Sequence, residues 1–411
     1  MSEIHSFRHL RVVAAVARWG GARGAAERVS LSPPAISQAI TAVERAVGEK
    51  LFDRTARGMF PTEAGQVFAV RIERAIGYLN TGAQTIAVRK PGSASDAFLS
   101  RLATTVQLRA VVGVIEHGGY APAARHLGVT QPNVHRAIRD LEKMMERRLF
   151  QPSRFGASPT PEALVLARYT QLAFREIELG LEELRGLRGL QDGSIRIGAL
   201  PLLRTRILPI AVTRLVEQYP DAQVTIMDAP YGELLNHLRH GRIDLILGAL
   251  RDPSPGSDLQ QEEFFREPLA IVVRAGHPLL KSRALDVARL VKLEWIAPPG
   301  PTPARAHFAE FLRRRGLPLP KRIIECSSFI TTRDLLVRGD RVALLSASQI
   351  DHEALAGELA IAVAELPGTE RPIGVCTRAD WSPTRMQAHF LALIREIAHE
   401  SRPRRSSART R

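Results

Sequence analysis

The stretch Ala25-Ala26-Glu27-Arg28-Val29-Ser30-Leu31-Ser32-Pro33-Pro34-Ala35-Ile36-Ser37-Gln38-Ala39-Ile40 sets the reading of everything around it. Ala25 and Ala26 are small enough for a short helix, Ala22 to Val29, to pack closely on a neighbour. Ser30-Leu31 makes the turn. Ser32 reads as an N-cap whose hydroxyl accepts from a free backbone N–H. Pro33 and Pro34 fall in the first turn, where a missing N–H costs little. Ala35 to Val47 then continues as a helix, with Ile36, Ile40, Val43 and Val47 facing inward and Gly48 closing it. Upstream, Phe7, Leu10, Val13 and Val16-Ala17 recur at helical spacing until Gly20-Gly21. Downstream, Leu51 to Pro61, turning at Arg57-Gly58, reads as a two-stranded wing. The whole is a winged helix-turn-helix.

The same plan returns 98 residues later, where Leu51-Phe52 reappears as Leu149-Phe150. At that offset Leu10 matches Leu108, Gly20-Gly21 matches Gly118-Gly119, Pro34 matches Pro132, Glu44 matches Glu142 and Pro61-Thr62 matches Pro159-Thr160. Two copies are too few for a solenoid, so this reads as a duplicated small module. In copy two Gly128 sits at the turn, Thr130 is the N-cap, Pro132 lies in the first turn, and Val134, Ile138 and Leu141 face inward.

The outer faces of the two longer helices differ. Copy one offers Ser37, Gln38 and Thr41, short or amide side chains suited to base edges and phosphates in a major groove. Its wing arginines, Arg54 and Arg57, reach for the phosphate backbone. Copy two offers Asn133, His135, Arg136 and Arg139, of which Arg136 suits a guanine edge and Arg139 a phosphate. In its wing Pro152 replaces Arg54, with Ser153 and Arg154 beside it. With Ser32, Pro34, Thr130, Gln131 and Pro132 at the helix starts, these are the candidate DNA contacts. A single helix pair of this kind also occurs in ordinary cores, and a lone His135 is also an ordinary surface residue. Two copies in a basic chain point to DNA.

The chain has 411 residues, room for about two to four domains, and carries a formal net charge of +15. That excess of Arg and Lys favours a polyanion, either nucleic acid or an anionic membrane surface. Cys326 and Cys376 are the only cysteines. They have no CxxC spacing and no neighbouring His cluster, so neither a zinc site nor a disulfide framework is indicated. Met1-Ser2-Glu3-Ile4-His5 does not begin a secretory signal, and no apolar run reaches the roughly twenty residues a bilayer needs. A cytoplasmic protein is expected.

The run from Ala25 to Ile40, with Glu44, Gly48, Leu51-Phe52-Asp53-Arg54 and Pro61-Thr62-Glu63-Ala64-Gly65, resembles the N-terminal domain of LysR-type transcriptional regulators. Gly193-Ser194-Ile195-Arg196-Ile197-Gly198, Leu208-Pro209, Tyr219-Pro220, Gly241-Arg242-Ile243-Asp244-Leu245, Glu267-Pro268-Leu269 and His277-Pro278-Leu279 resemble that family's effector domain. Glu325-Cys326-Ser327-Ser328 and Ala343-Leu344-Leu345-Ser346 are similar to a subgroup regulating sugar-binding-protein and aromatic-catabolism genes. The resemblance implies a multidomain chain: two winged helix-turn-helix domains, mainly α, with linker helices, and a two-lobed α/β effector domain of the periplasmic-binding-protein-like (type 2) fold. It departs from the family pattern in the second winged module, in His135 where a Ser is usual, and in the lost wing Arg.

The organisation expected is copy one at 1–62, a linker helix and flexible linker at 63–95, copy two at 96–160, a second linker helix at 161–190, the effector domain at 191–400 and a basic tail at 401–411. The breaker Pro91-Gly92-Ser93-Ala94-Ser95 makes the flexible linker. The tail is expected to be disordered, adding phosphate attraction or merely solubility. In the family the helix after the winged domain pairs with its twin, which implies a homodimer or homotetramer. Here the two linker helices of one chain either pair with each other, making a pseudo-dimer, or exchange between chains.

From about residue 193 strands and helices alternate, which argues α/β with a largely parallel sheet. Lobe one is expected at 193–265 with a returning C-terminal helix, and lobe two at 268–373. Ligands in such sheets bind beyond the strand carboxyl ends. The resemblance places an effector cleft between the lobes, faced by Leu200, Pro201, Leu202, Leu203 and Arg204; Gly248 and Leu250; Gly300 and Thr302; and Phe329 and Thr331. Thr302 and Thr331, at helix starts, suit an anion, and Arg204 suits a carboxylate. Equally, these are two ordinary N-caps and a surface arginine. Leu200 and Leu202-Leu203 stand where many carboxylate-sensing members have more polar residues, which disfavours a simple carboxylate.

The expected function is a sequence-specific DNA-binding transcription regulator controlled by a small metabolite, a sugar or an aromatic compound, with RNA polymerase as a further candidate partner. The alternative is a cytoplasmic metabolite-binding protein with only non-specific DNA association. An enzyme is disfavoured: there is no Ser-His-Asp spacing, P-loop, GxGxxG or metal-ligand cluster, and Asp351-His352-Glu353 reads as a solvated helix face. No catalytic residue, cofactor or metal is expected.

Overall fold

A computed structural model of the chain describes residues 6–55, 58–88, 102–153, 156–281, 287–300 and 302–400. The expected linker at 91–95, Arg57, Arg154 and the tail lie outside these residues. The chain divides into two compact units, Met1–Ser194 with Arg239–Arg242, and Ile195–Leu238 with Ile243–Arg411.

The first unit starts with α1 (Phe7–Trp19), α2 (Ala22–Val29), α3 (Pro33–Val47), β1 (Phe52–Thr55), β2 (Gly58–Pro61) and α4 (Glu63–Val88). It continues with the matching series α5 (Thr105–His117), α6 (Tyr120–Leu127), α7 (Gln131–Met145), β3 (Phe150–Ser153), β4 (Gly156–Pro159) and α8 (Pro161–Leu187). The wings pair antiparallel in the same register, Phe52 opposite Pro61 and Phe150 opposite Pro159. Glu44 and Glu142 do the same work in each module. Glu44 Oε1 accepts the N–H groups of Leu51 and Phe52 at 2.9 and 3.1 Å, and Glu142 Oε1 those of Leu149 and Phe150 at 2.7 and 3.1 Å. Each carboxylate thereby fastens its wing to its long helix with charge-assisted bonds.

One cluster of buried side chains runs from Phe7 and Leu10 through Phe68, Ile72 and Leu79 to Leu108, Leu141 and Leu184, so both modules and both long helices share a core. The long helices α4 and α8 pack antiparallel, since Phe68 lies against Gly180 while Tyr169 lies against Gly82. Gly82 and Gly180 hold the same position of the two copies, 98 residues apart, so the contact repeats about a pseudo-two-fold axis. Glycine is needed there for approach: a Cβ on Gly180 would meet the Phe68 ring at 2.8 Å and one on Gly82 would meet Tyr169 Cβ at 3.0 Å.

The second unit continues from β5 (Asp192–Ala199) with α9 (Pro201–Arg204), α10 (Ile207–Gln218), β6 (Asp221–Met227), α11 (Tyr231–Arg239), β7 (Leu245–Ala249) and β8 (Leu259–Glu267). Then come β9 (Ala270–Arg274), α12 (Val287–Leu290), β10 (Glu294–Ala297), α13 (Pro303–Arg313), β11 (Arg322–Glu325), α14 (Phe329–Val337) and β12 (Arg341–Leu345). A 3-10 turn at Ala347–Ile350, α15 (Asp351–Leu355), β13 (Leu359–Val363), β14 (Arg371–Arg378) and α16 (Arg385–Glu400) complete it. Two five-stranded sheets form, in the orders β6-β5-β7-β14-β8 and β11-β10-β12-β9-β13. The chain crosses to the second lobe after β8 and returns by β14.

The sheets are mixed, not largely parallel as the alternation of elements suggested. β5–β7, β10–β11 and β10–β12 are parallel, whereas β14 runs against both β7 and β8, and β9 against β12 and β13. The physical reason is the crossover: strands that enter and leave a lobe come back without an intervening helix. Alternate residues of β9 fill separate cores, with Ile271 and Val273 on one face and Val272 on the other, as a sheet covered on both faces requires.

Candidate nucleic-acid interface and effector cleft

α3 buries Ile36, Ala39, Ile40 and Val43 and leaves Pro34, Gln38 and Thr41 exposed, with Ser37 half-buried. α7 buries Val134, Ala137, Ile138 and Leu141 and exposes Gln131, Pro132, Asn133, Arg136 and Arg139. The sequence-assigned faces are therefore brought together on one side of each long helix. Ser32 and Thr130 occupy the N-cap positions, but neither side chain makes the expected capping hydrogen bond. Prolines at the helix starts remove donors there, and the Asn133 N–H instead donates to the Thr130 carbonyl at 3.1 Å. Both hydroxyls stay exposed.

The cation nearest the outer face differs between α3 and α7. Arg54 donates from the first wing to Thr41 Oγ1 at 3.1 Å, which aims the guanidinium along α3. The equivalent positions in copy two are Pro152 and Arg139, so there the charge sits on the helix itself. His135 is not a free outward side chain. Its ring is half-buried, with its centroid 5.0 Å from that of Tyr120, which in turn packs 5.9 Å from Phe150. A shallow groove of about 500 Å³ runs along α7 beside it, lined by Gln131, Pro132, His135, Arg136, Arg139 and Asp140.

The long helices that carry these modules hold a buried ion cluster that sequence reading missed. Arg71, 2% exposed, donates to Glu183 at 2.6 and 2.8 Å and to Glu176 at 3.0 Å, while Arg74 reaches Glu176 at 3.0 Å. Burial by itself would lower the Arg71 pKa, but the hydrogen bonds and charges of Glu183 and Glu176 carry it above its ordinary value. The signal was a charged residue at an inward position of each helix, uninterpretable until their register was known.

In the second unit, the loops after β5 and β7 leave the carboxyl ends of adjacent parallel strands, and so do those after β10 and β11. The loops expected to face the cleft follow that topology, and their side chains are engaged to different degrees. Leu202 and Leu203 belong to the lobe-one core with Ile207 and Phe390, and Leu250 is also buried. Leu200 rests on Gly248, where a Cβ would lie 2.4 Å from the Leu200 Cβ. Arg204 is paired with Asp228, and its pKa is lowered by burial. The Thr302 hydroxyl caps its own helix, accepting from the Arg305 N–H at 3.3 Å and donating to the Pro299 carbonyl at 2.9 Å. Ser328, not Thr331, caps α14. Thr331 is exposed in the first turn, Gly300 is exposed, and Pro201 and Phe329 are half-buried.

The lobes meet elsewhere through polar contacts. Arg206 pairs with Asp351 at 3.1 Å beside a small cavity of about 200 Å³, which Ser348, Gln349, His352 and Glu353 also line. Asp351 is thus an inter-lobe partner rather than a plain solvated residue. Glu267 and Arg371 lie opposite each other where β8 and β14 leave the first sheet. Burial raises the Glu267 pKa, against hydrogen bonds from Ser348, and lowers that of Arg371 to about 10. Among the described residues no group of His, Cys, Asp and Glu could hold a metal ion, and no helix is long and apolar enough to cross a membrane.

Known proteins share this architecture. A model of the bacterial regulatory helix-turn-helix protein of the lysR family matches twice, over residues 7–66 and 105–164, and a model of the LysR substrate binding domain matches residues 188–398. The HTH-type transcriptional regulator GalR of Pseudomonas putida is 31% identical over 97% of this chain and 98% of its own length. The HTH-type transcriptional regulator PcaQ of Agrobacterium fabrum, 28% identical, aligns over 94% of itself but only 71% of this chain, so it is shorter by about one winged module. Full-length OxyR of Pseudomonas aeruginosa, a cysteine-to-aspartate variant, shares the fold with a TM-score of 0.54 at 21% identity, over 71% of this chain and 93% of that one. The chain belongs to the LysR family of DNA-binding transcriptional regulators, which are not enzymes, and carries that family's ligand-binding substrate domain.

Proposed function

We propose that this regulator uses a duplicated winged helix-turn-helix, both copies meeting duplex DNA, under the control of a small metabolite held between the lobes of its second unit. The observation that carries the reading is the pair of exposed polar faces, on α3 and α7, mounted on two modules related by a pseudo-two-fold axis. Duplex DNA has the same symmetry, and long helices of this kind enter its major groove. In copy one Ser37, Gln38 and Thr41 meet bases, Ser32 and Pro34 lie at the backbone, and Arg54 and Arg57 hold phosphates. In copy two Asn133 and Arg136 meet bases, Thr130, Gln131 and Pro132 lie at the backbone, Arg139 holds a phosphate, and His135 braces the helix through Tyr120. The domain limits follow the sequence reading: 1–62, 63–95, 96–160, 161–190, 191–400 and 401–411.

The effector is a sugar or aromatic metabolite. It binds against the loops at Leu200–Arg204, Gly248–Leu250, Gly300–Thr302 and Phe329–Thr331, through backbone and apolar surface more than through Arg204, whose charge is already matched. The protein works in the cytoplasm as a homo-oligomer, with RNA polymerase as a further partner.

A gel-shift series on the chain's own promoter region, with salt and competitor DNA varied, tests this reading. Ser37→Ala with Gln38→Ala is expected to weaken specific binding about ten- to a hundredfold and random-sequence binding much less. Binding that ignores sequence throughout would reject specific regulation. Thermal shift of the full chain with sugars and aromatic acids identifies the effector class.

A further inference from the structure

The ion cluster between α4 and α8 has no counterpart across the pseudo-two-fold axis. The positions equivalent to Arg71 and Arg74 are Tyr169 and Leu172, and those equivalent to Glu176 and Glu183 are Tyr78 and Thr85. The charges therefore lie on one side only, with all the arginines on α4 and all the carboxylates on α8.

This asymmetry selects which helices pair. Two α4 helices in the same register would set a buried Arg71 against Tyr78 and Thr85. Two α8 helices would set Glu176 and Glu183 against Tyr169 and Leu172. Either like pair leaves a buried charge without its counter-charge, which strongly penalises the arrangement. Only an α4 with an α8 matches, so each pair of winged modules holds one of each copy.

The two modules are not equivalent readers. Gln38 and Arg136 occupy the same position of the two reading helices, 98 residues apart, and both are exposed. Glutamine pairs in two-point fashion with the N6 and N7 of adenine, and arginine with the O6 and N7 of guanine.

We propose that the regulator reads a two-part, deliberately unequal DNA site: dyad-related positions carry adenine in the half read by Gln38 and guanine in the half read by Arg136. A perfect inverted repeat is therefore not its preferred target. This rests on the DNA-binding reading above and adds to it the class of sequence bound.

Selection of duplexes from a random pool by the full chain tests it, with Gln38→Arg and Arg136→Ala as variants. Both positions are on the surface, and thermal melting checks that the variants fold. The wild type is expected to select unlike halves that differ at that position. Gln38→Arg brings guanine to that position in both halves, and Arg136→Ala erases preference there in one half only, with about a tenfold loss of affinity. Identical halves selected by the wild type, a site with a single half, or a Gln38→Arg pool unchanged from wild type would overturn the proposal. If no sequence is enriched although DNA is retained, specific regulation fails as well. If like halves are enriched, regulation stands and only the unequal-site inference falls.

Discussion

Where the first winged module carries Arg54 hydrogen-bonded to Thr41, the second carries Pro152 and Arg139. Where the first places Arg28 over the Trp19 ring at 4.7 Å, the second packs His126 against His117 with ring centroids 4.2 Å apart and planes tilted by 36°. Ser37 becomes His135 braced on Tyr120. Yet the Glu44 and Glu142 clamps, the wing registers and the threonines that start the long helices are the same: Thr62 Oγ1 donates to the Lys50 carbonyl at 2.8 Å, and Thr160 Oγ1 to the Arg148 carbonyl at 3.1 Å. The contrast separates two kinds of position. The carboxylate clamp, the wing register and the helix-start threonine keep their chemistry, while the outward positions named here have taken up different side chains.

The comparison breaks most severely at the helix pair. Arg71→Ala is expected to cost about 3–5 kcal/mol, because it leaves Glu176 buried beside Arg74 alone. Replacing Arg71, Glu176 and Glu183 together with Met should recover much of that loss, while removing the bar to like-helix pairing. Chemical denaturation of the full chain measures the first effect, and recovery that fails in the triple variant would show that the ion cluster stabilises by more than charge matching.

A smaller effect separates the starts of the two long helices. Gly65 and Ala163 are equivalent, but a Cβ on Gly65 would lie 1.9 Å from the Leu51 carbonyl oxygen. Gly65→Ala is therefore expected to destabilise by about 1–3 kcal/mol through forced backbone movement. Ala163→Gly should cost only about 1 kcal/mol, from helix propensity. Equal thermal shifts for the two would mean that the modules share one helix-to-wing spacing after all.

The mildest contrast concerns left-handed residues. The end of α2 is Ser30, at φ 54°, where copy two has Gly128, and the end of α3 is Gly48 where copy two has Glu146, at φ 51°. Each copy thus holds one non-glycine residue in a conformation that glycine adopts more readily. Ser30→Gly and Glu146→Gly should each stabilise by up to about 1 kcal/mol, and Gly48→Ala and Gly128→Ala should destabilise by a similar amount. Thermal melting that moves the opposite way for both glycine gains would refute the strain.

The winged modules were legible in the sequence because turns, prolines and apolar spacing are local, and their repetition fixed the register. The functions of Glu44 and Glu142 were not, although their identity was noticed, because each carboxylate serves N–H groups seven and eight residues away around a turn. The Arg71 cluster joins residues more than a hundred positions apart and needs the helix pairing to be known. In the second unit strand order shows which loops leave strand carboxyl ends, but not that Arg204 pairs with Asp228 or that Thr302 accepts from the Arg305 N–H. Strand direction also escaped, since alternation of elements does not say which strands cross between lobes.

The antiparallel contact of α4 with α8 inside one polypeptide changes a concentration law. A protein whose two readers reside on separate chains must first find its twin, and at high dilution its operator occupancy falls with the square of its abundance. On the proposed reading both modules arrive already joined in a single translation product, so forming that pair does not depend on abundance, and only the assembly of further copies does.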